Sequence, residues 1–170
     1  MLKTKTNIVA CVLFLFGSLF FYENLYSQKK ITFDLGIENS LPLGRFKTYY
    51  NYGIGATADV NLRLSPIIRL YFSASYLKYF INSRNLGFGG SEGFMPMVIG
   101  TKVMILPKFY LLAGGGINLD FGNVIDTYKM YRIGIGREIP NRLAVELKYE
   151  RTGQYDFTPK VLKLGATVRL

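Results

Sequence analysis

The chain has 170 residues, one domain's worth, with 18 glycines, 13 tyrosines and 13 phenylalanines. It has no histidine, which excludes the histidine-dependent dyads and triads and the common zinc sites. The net charge of +10 would suit nucleic acid, but Lys and Arg are scattered without a basic stripe or a binding motif, so nucleic acid is not an expected partner.

The first segment reads as an export signal. Lys3 and Lys5 precede an almost wholly apolar stretch over residues 8–22, and Leu25-Tyr26-Ser27 offers a cleavage site. A run of about 15 apolar residues falls short of the roughly 20 that a spanning helix needs. Residues 1–27 are therefore expected to be a cleaved signal peptide and residues 28–170 the mature domain. Cys11 lies near the start of the apolar run and not after it, as a lipoprotein cysteine should, and cleavage would remove this sole thiol.

The mature domain alternates apolar and polar residues with a period of two, the pattern of strands with one apolar and one polar face. Ile31, Phe33, Leu35 and Ile37 oppose Thr32, Asp34, Gly36 and Glu38. Tyr52, Ile54, Ala56, Ala58, Val60 and Leu62 oppose Gly53, Gly55, Thr57, Asp59, Asn61 and Arg63. Leu70, Phe72, Ala74 and Tyr76 oppose Tyr71, Ser73 and Ser75, with Lys78 on the apolar side. Met97, Ile99, Thr101, Val103 and Ile105 then oppose Val98, Gly100, Lys102 and Met104. In the fifth run Phe109, Leu111, Ala113, Gly115, Ile117 and Leu119 oppose Tyr110, Leu112, Gly114, Gly116, Asn118 and Asp120. The sixth sets Tyr131, Ile133 and Ile135 against Met130, Arg132, Gly134 and Gly136, and the seventh sets Leu143, Val145, Leu147 and Tyr149 against Ala144, Glu146, Lys148 and Glu150. The eighth ends the chain, with Leu164, Ala166, Val168 and Leu170 on one face and Lys163 and Arg169 on the other.

Tight links at Ser65-Pro66, Leu106-Pro107-Lys108 and Pro140-Asn141 alternate with longer ones over residues 39–50, 81–93, 121–127 and 152–159. Tight turns on one rim and long loops on the other are the outer-membrane pattern. The expected fold is all-β: an eight-stranded, antiparallel, up-and-down transmembrane β-barrel. Charge then assigns the faces. Asp34, Glu38, Asp59, Asp120, Glu146 and Glu150 share the polar side with Arg63, Lys102, Arg132, Lys148, Lys163 and Arg169. A charge facing lipid at the bilayer midplane costs about 2–4 kcal/mol, so these twelve are expected inside, as a charge-balanced salt-bridge plug. An exported soluble lipocalin-like barrel would have the faces reversed, and periodicity alone does not separate the two. A looser plug would make a narrow channel for small solutes.

Short phrases also carry a likeness. Glu38 with Leu41-Pro42-Leu43-Gly44-Arg45-Phe46, then Tyr52-Gly53-Ile54-Gly55, Leu64-Ser65-Pro66, Gly100-Thr101-Lys102, Lys108-Phe109-Tyr110-Leu111 and Gly134-Ile135-Gly136 resemble the outer-membrane β-barrel domain family common in Bacteroidota, similar in architecture to the small OmpA/OmpX-type barrels. The resemblance implies location in the cell outer membrane and insertion by the barrel-assembly machinery. It implies that Leu164, Ala166, Val168 and Leu170 serve as the assembly signal, with Leu170 where the family usually has an aromatic.

Catalysis has little to stand on. Glu146 and Glu150 are four residues apart, about 13 Å along a strand, too far for paired acid and base work. Gly114-Gly115-Gly116, Gly53-Ile54-Gly55 and Gly134-Ile135-Gly136 lack the helix and the Gly-Lys-Ser/Thr of a phosphate loop. No enzyme activity, cofactor or metal is expected. A set of aromatics near the long loops, Phe46, Tyr49, Tyr50, Tyr52, Tyr76, Tyr79, Phe80, Phe94, Tyr128, Tyr131, Tyr149, Tyr155 and Phe157, reads as an interfacial girdle. Phe88 and Phe157 are candidates for contact with a surface partner. Arg45, Lys47, Arg84, Lys129, Arg151 and Lys160 near the same rim suit lipopolysaccharide phosphates. The expected role is structural or surface-interacting, by a monomer whose partners are outer-membrane lipid and lipopolysaccharide.

Overall fold

A computed structural model of the chain describes residues 31–82, 90–121, 126–140, 142–153 and 158–170. The expected signal peptide over residues 1–27, together with Arg84, Phe88, Asn141, Tyr155 and Phe157, lies outside the described residues. Strands β1 (Ile31–Leu43), β2 (Tyr50–Arg63), β3 (Ile68–Ile81), β4 (Ser91–Leu106), β5 (Phe109–Asp120), β6 (Asp126–Ile139), β7 (Leu143–Gly153) and β8 (Lys160–Arg169) follow one another around a closed barrel. Every neighbouring pair is antiparallel, and β8 returns to pair with β1. Closure leaves no unpaired sheet edge, which is how a sheet satisfies its backbone without water.

The three tight links sit on one rim. Between β2 and β3, the Ser65 hydroxyl accepts hydrogen bonds from the amides of Ile67 (3.3 Å) and Ile68 (3.0 Å), so a side chain holds the turn. Pro107 and Lys108 alone join β4 to β5, with Lys108 at φ 72°. Arg142 takes φ 67° at the third. Closure at this rim is completed by the Leu170 amide, which donates to the Phe33 carbonyl at 2.8 Å.

The expected faces hold along all eight strands. On β1, Phe33, Leu35 and Ile37 are exposed and Asp34 and Glu38 buried; on β7, Leu143, Val145 and Leu147 alternate outward with buried Ala144, Glu146, Lys148 and Glu150. Ile99 is 65% exposed, Ile37 64% and Ile133 59%, whereas Arg132, Lys148 and Lys163 are at or below 1%. A soluble core has these values the other way round. This is also the reverse of a lipocalin-like ligand barrel.

The strands reach further than the clean alternation suggested. Residues 39–43, expected in a loop, continue β1, with Ser40 and Pro42 buried and Leu41 exposed. Asn39 opposite Ile54 is a polar residue on the outer face, which interrupts the visible pattern without ending the strand. Likewise β4 begins at Ser91, β6 at Asp126, and β7 runs to Gly153. The link after β1 is a single helical turn, α1 (Phe46–Tyr49), entered through Gly44 at φ 58°.

Candidate functional site

The barrel interior is built from inward-facing positions of every strand and has two layers of distinct chemistry. Nearest the long loops is an aromatic cluster. α1 folds into the mouth and buries Phe46 against Tyr50 (ring centroids 4.6 Å), Tyr79 (5.2 Å) and Phe94 (6.1 Å), with Tyr79 to Phe94 at 5.3 Å. Leu77 and Val161 complete this cluster. The Tyr79 hydroxyl lies 2.6 Å from the Ser40 hydroxyl, and the Tyr50 hydroxyl donates to the Glu92 carboxylate. Four of the rings expected in the girdle are thus inside. Tyr79 and Phe94 continue the inward parity of their strands, and Tyr50 is turned in by an irregularity in the β2–β3 register between Tyr50 and Tyr52. Tyr52, Tyr76 and Tyr131 do face outward.

Beneath this cluster lies a continuous alternation of charge. Lys102 Nζ reaches Asp59 at 3.5 Å and Glu146 at 2.9 Å; Lys148 Nζ reaches Glu146 at 3.1 Å and bonds Glu38. Lys163 Nζ then bridges Glu38 at 3.3 Å and Glu150 at 2.7 Å, and Arg132 Nε donates to Glu150 at 2.7 Å. Four acids and four bases follow one another from Asp59 to Arg132 without a like-charged contact in the chain of bonds. All eight side chains are nearly inaccessible. Tyr110 donates a further hydrogen bond to Glu146 at 2.7 Å, and Lys102 Nζ sits 5.3 Å from the ring centres of both Tyr71 and Tyr110. Such groups are tolerated inside because each charge meets an opposite one and further donors satisfy the remaining oxygens.

A second group closes the tight-turn rim. Arg169 reaches Asp34 at 3.4 Å and Glu138 at 3.0 Å, and Arg69 bonds Glu138. Neither Arg69 nor Glu138 belonged to the expected set. Both lie just beyond the strand residues whose alternation is obvious, yet both keep the inward parity of β3 and β6, which would have found them.

Two expected members belong elsewhere. Arg63 has inward parity but is exposed, being the last residue of β2, where the wall ends; its cross-strand partner Arg69 is the one that turns inside. Asp120 is half-buried at the long-loop rim, away from both ion-paired groups. The other ten residues stand in the two groups described.

Glycine gives the bulky interior residues their room. A Cβ on Gly136 would lie 2.2 Å from the Tyr110 ring, and one on Gly53 would lie 2.8 Å from the Tyr79 ring. The glycine phrases that look like phosphate loops are inside β2, β5 and β6.

Charge is sorted between inside and outside. Every acid with a described side chain, Asp34, Glu38, Asp59, Glu92, Asp120, Glu138, Glu146 and Glu150, occupies an inward-facing position. Outward positions near the long loops carry Lys78, Lys129, Arg151 and Lys160, and Arg45 just before α1 and Lys47 within it are exposed. Leu164, Ala166, Val168 and Leu170 are all exposed on the outer wall. Among the described residues, no group of three or more acidic, cysteine or histidine side chains is placed to hold a metal ion.

No protein-family model and no curated protein matches the sequence. Solved structures do match in fold. The outer membrane protein Ail of Yersinia pestis, in a phospholipid bilayer nanodisc, is 16% identical with a TM-score of 0.58, over 82% of this chain and 99% of that one. The N-terminal β-barrel domain of Pseudomonas aeruginosa OprF is 7% identical with a TM-score of 0.58, over 82% and 97%. A de novo designed transmembrane β-barrel is 15% identical with a TM-score of 0.53, over 85% and 100%. The chain shares the closed barrel of outer-membrane proteins, on an unrelated-looking sequence.

Proposed function

We propose that this chain is an integral outer-membrane β-barrel with a structural or surface-interaction role and a closed lumen. The inside-out burial carries the reading: large aliphatic side chains cover the outer wall while ion-paired Lys, Arg, Asp and Glu fill the interior. A wall of exposed Leu, Ile and Val is unfavourable in water and matched to hydrocarbon. An eight-stranded barrel is only wide enough for its own side chains, and the buried aromatic cluster and the ion-paired groups support a closed lumen. The chain's lack of histidine and the internal pairing of its acids argue against catalysis. By this reading the barrel inserts through the barrel-assembly machinery with the exposed Leu164, Ala166, Val168 and Leu170 as its signal, the tight turns face the periplasm, and the molecule is a monomer of the kind its Bacteroidota-like phrases suggest.

Carbonate washing of membranes followed by planar-bilayer recording tests both parts. The protein is expected to stay in the outer-membrane pellet and, once purified, to give no stable conductance. Extraction into the carbonate supernatant would overturn the membrane reading. A stable conductance step from the pelleted protein would replace the closed lumen with a narrow channel.

A further inference from the structure

The outer wall of β6, β7 and β8 near the long loops brings three cations together. Arg151 and Lys160 are direct cross-strand partners, and Lys129 stands opposite Gly153 on the next outward row, beside the Tyr131–Arg151 pair. Directly opposed side chains of an antiparallel pair lie about 5 Å apart, where like charges repel. The interior contains the same juxtaposition in Lys148 opposite Lys163, and there Glu38 bonds both. Outside, among the described side chains, no carboxylate faces the triad. Among the described side chains, the wall therefore presents a positive site open to counter-charge from another molecule.

An apolar trough of about 530 Å³ starts where the triad ends. Two residues further along the strands from Tyr131, Arg151 and Lys160 come Ile133, Tyr149 and Leu162, again cross-strand partners, and these line it with Ala113 and Leu147. Gly115 faces outward opposite Tyr131, and a Cβ there would have nothing nearer than 3.8 Å, so the wall is set back at the head of the trough. Above it, Lys129, Tyr131 and Arg151 border a second hollow of about 610 Å³ that includes Tyr128 and Thr158.

Cations on the upper rows and an apolar trough below, with Tyr131 level with Arg151 and Tyr149 at the head of the trough, repeat the order of parts in one amphiphile with an anionic head. Three cations exceed the single charge of a phosphodiester, whereas each phosphomonoester carries about −1.5 to −2 near neutral pH. Arginine is suited to grip phosphate through two parallel hydrogen bonds. On the orientation proposed above, on which this inference rests, the long-loop rim lies in the outer leaflet. We propose that Lys129, Arg151 and Lys160 with the trough beneath them form a docking site for one phosphorylated glycolipid of the lipid A type, its phosphates on the triad and an acyl chain along Ala113, Ile133 and Leu162.

Native mass spectrometry of the detergent-purified barrel, titrated separately with bisphosphorylated lipid A, dephosphorylated lipid A, phosphatidylglycerol and inorganic phosphate, tests the site. Bisphosphorylated lipid A alone is expected to be retained. The triple variant Lys129→Gln, Arg151→Gln, Lys160→Gln should weaken retention on the order of a hundredfold, since each base near an anionic surface contributes about a factor of five. Arg63→Gln with Arg137→Gln, exposed at the tight-turn rim, should leave it unchanged. Ala113→Phe, which fills the trough and touches no charge, should weaken it with the triad intact. Equal retention by the triple variant, or equal binding of phosphatidylglycerol or of the dephosphorylated lipid, would overturn the proposal. A barrel that stays in the carbonate pellet yet retains no lipid A would sink only this site; one that leaves the pellet would sink the membrane reading itself.

Discussion

Replacing Glu38 by glutamine is expected to lower the unfolding free energy by about 3–5 kcal/mol, the cost of breaking a buried ion pair by removing one partner. Glu38 is 0% exposed and is the link between Lys148 and Lys163, which oppose each other directly across β7 and β8. Glutamine keeps the shape and one acceptor oxygen but leaves two directly opposed lysines with one fewer anion between them. The loss should fall well below additivity when Lys148→Gln is combined with it, because the second substitution removes the charge that the first stranded. Urea titration of protein folded in detergent micelles, followed by the folded band on an unheated gel, measures both. A loss under about 1 kcal/mol for Glu38→Gln, within the range of an exposed pair, would show that water reaches this layer freely.

Leu147→Arg is expected to cost about 2–4 kcal/mol for protein folded into lipid vesicles, the depth-dependent cost of a base on the lipid face near the midplane. Leu147 is 44% exposed, sits near the middle of β7, and is paired with Ile135 and Leu164, both also outward. On a soluble barrel the same substitution at an exposed position would change stability by no more than about 0.5 kcal/mol. The two substitutions are complementary. The first tests what is inside and the second what surrounds the wall.

Much of this architecture was legible in the residues because a period of two assigns faces without knowledge of the partner strand. Asp34, Glu38, Lys102, Glu146, Lys148 and Lys163 were all readable as inward from their neighbours alone. Parity gives a face but not a depth. Arg63 shows the difference: it has the inward parity of β2 but stands where the wall ends, and Arg69 across from it takes the interior place with Glu138. Tyr50 shows a second limit, since an irregularity in register reverses parity locally and no residue type announces it. Tyr79 and Phe94 were readable, because their strands already pointed Tyr71, Ser73 and Val98 inward. The fit of rim aromatics to a membrane interface masks that parity. The ion-pair order was out of reach, because it depends on which strands the closed barrel sets side by side, as with Lys148 and Glu38, 110 residues apart. The cation cluster is a product of the same pairing, since Lys129, Arg151 and Lys160 are distant in sequence and adjacent only across β6, β7 and β8.

A fold that turns its apolar face outward and its charges inward should need an apolar host in order to form. Protein diluted from urea into buffer alone, and into buffer with detergent micelles or lipid vesicles, is to be run on a denaturing gel with and without heating. A compact, heat-sensitive band is expected only where micelles or vesicles were present, and aggregation without them. A monomeric, cooperatively folded β protein in buffer alone would contradict this expectation.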